Sequence, residues 1–260
     1  MTDFQFKNNS LFCGSLDLSE AVKIYGTPLY IYSMEMIRKQ CLVFMKAFEN
    51  YPTQICYAVK ANSRLAILKE IAKLGFGSDI VSHGELLRVI RAGFSPDKIV
   101  FSGVGKTYEE IELALKTEIL TFNVESAHEL QLIDKIAAKL KINAPVSIRI
   151  NPNIDARTNP YIATGLHSTK FGISEDEALE LFKNLKAYKN ISLMGIACHI
   201  GSQITDLGPI KEAAVRMREI ALDLVSEKNV DILGRHPEDR VSIEEVEIIE
   251  MDINDDTSIE

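Results

Sequence analysis

The chain has no cysteine pairs that could staple it. Its four cysteines, Cys13, Cys41, Cys56 and Cys198, are scattered, with no C-x-x-C and no histidine at ligand spacing. That argues against a disulfide framework or a structural metal site and points to a reducing, cytoplasmic setting. No apolar run approaches the ~20 residues that a membrane-spanning helix needs. Residues 1–12 lack the basic-then-apolar order of a secretion signal, so no membrane role is expected. Positive charge is not in surplus either, for the formal net charge is -8. The imbalance is local: residues 228–260 hold eleven acidic and three basic residues, while residues 1–227 are neutral. A neutral body with an acidic tail gives nucleic acid no basic surface to bind. Also missing is a G-x-G-x-x-G after the first strand, which removes the dinucleotide-binding reading.

What is present is an ordinary globular composition, 46% hydrophobic and 25% charged over 260 residues. That length suffices for one α/β barrel or two small domains. Short apolar runs at 55–59, 78–81, 99–104, 120–124, 145–150 and 194–200 predict strands. Amphipathic stretches at 63–74, 83–92, 108–116, 126–140, 174–188 and 209–226 predict the helices between them. Strands alternating with helices at this interval indicate parallel βα units, shared by open doubly wound sheets and closed barrels. With no dinucleotide fingerprint, the barrel is the expectation, and a barrel carries its chemistry at the C-terminal strand ends. Polar residues fall at such ends: Lys60, Asp79, Asn123, Glu125, Arg149, Asn151, His199 and Ser202.

Lys60 closes the apolar run Ile55-Cys56-Tyr57-Ala58-Val59. A lysine buried there would lose its charge more readily, and a neutral amine condenses with aldehydes. The plainer reading is a strand meeting solvent. Arg149 likewise has two readings, a ligand contact or an ion pair with Glu125.

Six motifs taken in order narrow this. Tyr57-Ala58-Val59-Lys60-Ala61-Asn62, Gly77-Ser78-Asp79 with Gly84-Glu85-Leu86, Ser102-Gly103-Val104-Gly105-Lys106, Asn123-Val124-Glu125-Ser126, Arg149-Ile150-Asn151-Pro152 and His199-Ile200-Gly201-Ser202-Gln203 resemble the pyridoxal phosphate (PLP)-dependent decarboxylases of the alanine-racemase-like barrel fold. The stretch from Asn151 through Tyr161, Gly165 and Lys170-Phe171-Gly172 resembles the diaminopimelate decarboxylase branch most. The resemblance covers roughly residues 11–227. It implies an α/β fold, a PLP-binding (β/α)8-type barrel, and a lyase that decarboxylates meso-diaminopimelate to lysine. It also implies roles. Lys60 would hold PLP through its amine, and His199 would lie against the ring face. Arg149 would approach the ring hydroxyl, Ala58 would pack beneath the cofactor, Asp79 would orient His199 or Lys60, and Ser202 would offer its hydroxyl to the phosphate. The family works as a homodimer on a small amino acid, and no metal is implied. Residues 153–170 form a long stretch with Pro160 and Gly165, of the kind that makes lids.

Beyond residue 227 the pattern departs. Where the family has a glycine run that cradles the phosphate, this chain has Arg235-His236-Pro237, which cannot supply the same nest of N–H donors. The expected organisation is a lead-in at 1–33, a PLP-binding barrel at 34–227 incomplete at strands seven and eight, and a divergent acidic tail at 228–260. The family's C-terminal β-domain is absent, which marks the chain as a truncated or rearranged decarboxylase. A segment at 246–253 alternates enough to be a strand that patches the gap. The alternatives are a catalytically silent PLP-binding or partner-binding fragment, or a related ornithine- or carboxynorspermidine-type decarboxylase.

Overall fold

The computed structural model describes residues 3–155, 171–202 and 204–226. The chain divides into two units, Met1–Tyr51 and Pro52–Glu260.

In the first unit, β1 (Phe4–Lys7) and β2 (Ser10–Cys13) pair antiparallel, and β3 (Leu16–Asp17) pairs with β2. Asn8 and Asn9 join the hairpin with φ of 50° and 66°. The two-residue turn that matches strand twist needs positive φ at both positions, and asparagine tolerates it. Asp17 then caps α1 (Leu18–Tyr25), its carboxylate accepting the Ser19 N–H at 2.9 Å. Ser33 caps α2 (Met34–Ala47), accepting the Met36 N–H at 3.0 Å and donating to the Asp3 carboxylate. None of these five elements was expected from the apolar runs.

The second unit repeats strand and helix. In chain order it runs β4 (Cys56–Ala58), α3 (Leu65–Lys73), β5 (Gly77–Ile80), α4 (His83–Ala92), β6 (Ile99–Phe101), α5 (Tyr108–Thr117), β7 (Thr121–Val124), α6 (Ala127–Leu140), β8 (Ala144–Arg149), α7 (Glu175–Lys183), β9 (Ile191–Ala197) and α8 (Gly208–Ser226). All six strands are parallel and lie in sequence order, β4 to β9. A doubly wound sheet reverses its order at a switch point. This one does not, and it has the arrangement of a barrel that stops at six strands among the described residues.

Local chemistry explains the boundaries. Helix starts are capped by Ser82, Thr107, Ser126 and Ser174, whose hydroxyls each accept the N–H of a glutamate three residues on. Gly93 ends α4 at φ 96°, a conformation that costs glycine little. Leu130, Ile133, Ile136 and Ala137 give α6 one buried stripe.

One strand is displaced from expectation. The apolar run at 194–200 predicted β9 there, whereas it spans Ile191–Ala197. The apolar run continues past the strand because Ile200 packs with Ala213 in a separate cluster joined by Cys198, Ile204 and Ile210. In its pairing with β8, β9 carries an irregularity: Val146 pairs Leu193 but Ser147 pairs Gly195, so Met194 is extra. No helix among the described residues is long and apolar enough to cross a membrane. The stretch 156–170, the segment 246–253 and the whole of 228–260 lie outside the described residues.

Candidate active site

Side chains on a strand alternate between faces, so every second residue of β5 to β8 shares a side of the sheet. One such set is polar and hydrogen-bonded. Ser102, just past β6, donates to Asp79 Oδ1 at 2.6 Å and accepts from Asn123 Nδ2 at 3.0 Å. All three are buried. Lower on the same face Thr121 and Ser147 share a bond of 3.1 Å.

At the strand ends the set becomes ionic. Glu125 follows β7, and its side chain is only 2% exposed. Its Oε1 accepts from Arg149 Nη1 at 2.9 Å and from the Gly103 N–H at 3.0 Å, and its Oε2 accepts the Gly172 N–H at 3.0 Å. The Glu125 N–H in turn donates to Glu129 Oε2 at 2.9 Å. Glu129 Oε1 accepts from Lys106 Nζ at 2.7 Å. Lys106, 1% exposed, also donates to the carbonyls of Gly103 and Asn123 at 2.7 and 2.8 Å. An ammonium has three protons, and each has an acceptor, which is the condition for burying a charge. The Arg149 guanidinium also lies 5.2 Å from the centre of the Phe171 ring.

The residues singled out from sequence reach this rim by strand register. Ala58 is buried and pairs with Asp79. Lys60 stands two residues later, in a short 3-10 turn Val59–Ala61 whose exit is tied by the Tyr57 hydroxyl donating to the Asn62 carbonyl at 3.2 Å. Arg149 pairs with Ala197, and His199, half-buried, follows two residues on, with Ser202 beyond it. The ion pair between Arg149 and Glu125 is formed, and Asp79 takes Ser102 as a partner.

Of the two readings of Lys60, the side chain follows the plainer one in its exposure: it meets solvent rather than being buried. The strand ends at Ala58, and the turn carries the side chain past the packed layer. Glu85, on α4, is half-buried. Burial pushes the Glu85 carboxyl above the ordinary range, against the Val81 N–H bond at 2.8 Å and the positive charge of Lys60.

Glu85, Ser102, Lys106 and Glu129 had no assigned role from sequence. A signal existed for two of them: Glu129 lies four residues after Glu125, on the first turn of a helix, and Lys106 closes a glycine-rich turn. Among the described residues no group of three or more histidine, cysteine, aspartate or glutamate side chains could hold a metal ion.

The chain is similar to known proteins over most of its length. The model of the pyridoxal-binding domain of pyridoxal-dependent decarboxylases matches residues 34–232. The chain is 47% identical over 232 residues to the diaminopimelate decarboxylase of Vibrio cholerae, covering 88% of this chain and 56% of that protein. It also resembles the crystal structure of the Helicobacter pylori diaminopimelate decarboxylase complexed with L-lysine, with a TM-score of 0.78 and 47% identity over 82% of this chain and 54% of that one. The M. jannaschii enzyme in co-complex with L-lysine gives a TM-score of 0.79 at 36% identity, covering 88% and 55%. The chain thus spans about half the length of the relatives it matches. With a matched domain model over most of its length and this shared identity, the chain belongs to the pyridoxal-dependent decarboxylase family.

Proposed function

We propose that this chain carries the PLP-binding half of a decarboxylase that acts on meso-diaminopimelate, releasing CO2 and leaving lysine. The observation that carries the reading is the rim itself: an exposed lysine amine, a buried carboxylate and a buried, paired guanidinium at strand ends of one parallel sheet. Relatives of known name with 47% identity give the substrate class.

The amine and the ring contacts fit the cofactor. An aldehyde needs a reachable primary amine, and Lys60 is exposed at the end of β4. A flat ring needs small and planar neighbours, which Ala58 and His199 supply. A ring hydroxyl needs a directed donor, which Arg149 supplies, and Ser202 offers one hydroxyl to a phosphate. When bound, PLP supplies the electron sink for the pair left at the α-carbon as the carboxylate departs.

The protein's share is orientation and charge. Lys60 would hold the cofactor and yield it to the substrate amine. Asp79, held by Ser102, which Asn123 holds in turn, would orient Lys60 or His199. Glu85, which feels the charge of Lys60, is a carboxyl that takes up a proton more readily than usual.

Incubating the 260-residue chain with PLP is expected to give imine absorbance that Lys60→Ala abolishes, and CO2 release from meso-diaminopimelate above background. Absorbance that survives Lys60→Ala would overturn the lysine assignment. Cofactor binding without CO2 release would leave a carrier and refute the lyase.

A further inference from the structure

We propose that Glu125 is the positioning residue for Arg149 at the cofactor site, and that Lys106 and Glu129 fix Glu125 in turn; this rests on the PLP-dependent reading above. A guanidinium carries five N–H donors. Among the described residues Glu125 is the acceptor bonded to it, at 2.9 Å. How firmly an arginine keeps one orientation depends on what its partner is bound to, and Glu125 is held from several sides. The Gly103 N–H, from the loop after β6, binds one oxygen, and the Gly172 N–H, from the segment before α7, binds the other. Turning the carboxylate would break a backbone bond on either side.

The frame continues behind it. Glu129 holds the Glu125 backbone N–H, and Lys106 holds Glu129. Gly103 serves both ends, its N–H on Glu125 and its carbonyl under Lys106, at φ 100°, where a side chain would be strained. Two cations and two anions make this set, so it is buried without net charge. The positive charge of Arg149 is therefore balanced within the protein. Arg149 offers a ligand a directed N–H rather than an unpaired cation, and its aim is set by Glu125.

The test is PLP affinity, titrated by absorbance on the full chain, for wild type, Glu125→Gln, Arg149→Met and the double variant. Each single change is expected to weaken PLP about tenfold. The double is expected to lose no more than about twofold beyond Arg149→Met alone, because the effect of Glu125 runs through Arg149. Glu125→Gln should also move the pH at which the bound-cofactor absorbance changes, which a purely structural role would not. An equal loss from Glu125→Gln with and without Arg149, or no loss at all, would overturn the proposal. If Glu125→Gln loses its native circular dichroism, Glu125→Asp replaces it with the same outcomes. A wild-type chain with no Lys60-dependent absorbance overturns the PLP reading itself and this inference with it. A wild-type chain that binds PLP, with additive variants, overturns the positioning role alone.

Discussion

On β7, Phe122 and Val124 face one side of the sheet, while Thr121, Asn123 and the following Glu125 face the other. The same split runs along the neighbours: Ile80 against Asp79, Phe101 against Ser102, Ile148 against Ser147 and Arg149. The apolar face packs conventionally, with Phe101 and Phe122 stacked at 5.9 Å between centroids. Its members are all buried, and their burial contributes roughly 1.5–3 kcal/mol per side chain. The polar face is as well buried and gains far less, since a paired buried charge roughly offsets its own desolvation. Two faces built from alternate residues of the same strands thus divide the work: one holds the sheet together, and the other holds charges in fixed places. A face that costs about as much as it gains is retained for what it positions.

Three measurements sharpen or break that comparison. The largest effect is expected from Lys106→Met, which strands the Glu129 carboxylate in the interior and should cost about 4 kcal/mol in urea unfolding. Adding Glu129→Gln should recover at least half of it, because removing both charges removes the desolvation penalty as well. A loss below about 1 kcal/mol for Lys106→Met would show that this charge is not held in a dry frame. Next comes Phe122→Ala on the apolar face, expected to cost about 3 kcal/mol through lost burial and the cavity left behind. No second substitution on the polar face should rescue it.

The smallest effect belongs to Glu85. Its folded carboxyl binds a proton more tightly than the unfolded one, because burial outweighs the Val81 bond and the charge of Lys60. Its contribution is therefore present at low pH and is lost as pH rises from the ordinary glutamate value of about 4.3 through the raised folded value. Glu85→Gln is expected to flatten that decline in a pH series of unfolding midpoints. A steeper decline in the variant would show that the sign is wrong.

Much of the second unit was legible because buried parallel strands are short apolar runs and their helices carry one apolar stripe. The 83–92 prediction matches α4, since both its cap, Ser82, and its stop, Gly93, are local signals. β9 was misplaced because Ile200, apolar like its strand, belongs to a different cluster. The first unit was missed for another reason. Its strands are two to four residues long and mix Gln5, Lys7 and Asp17 with apolar residues, so no run stands out. Asn8-Asn9 was the available signal for the hairpin, and Ser33 before Met34-Glu35-Met36 was the signal for α2. The rim was legible as a set of strand-end residues, since register alone brings them together. The bonds among them were not: that Lys106 and Glu129 are buried follows from the packing of neighbouring strand ends and loops, which no local pattern encodes. Lys60 shows the converse, a residue at the right place whose exposure depends on a turn of three residues.

The short bridge between Ile150 and Ile173 has a consequence for how such a protein changes over time. Asn151 donates to the Ile173 carbonyl at 2.8 Å, and the Ile173 N–H donates to the Arg149 carbonyl at 3.0 Å. The departure and return of the chain are clasped side by side at the end of β8. Lengthening a closed segment costs only about 0.6 kcal/mol per doubling. The clasp therefore insulates Arg149 from the length of whatever lies between residues 151 and 173.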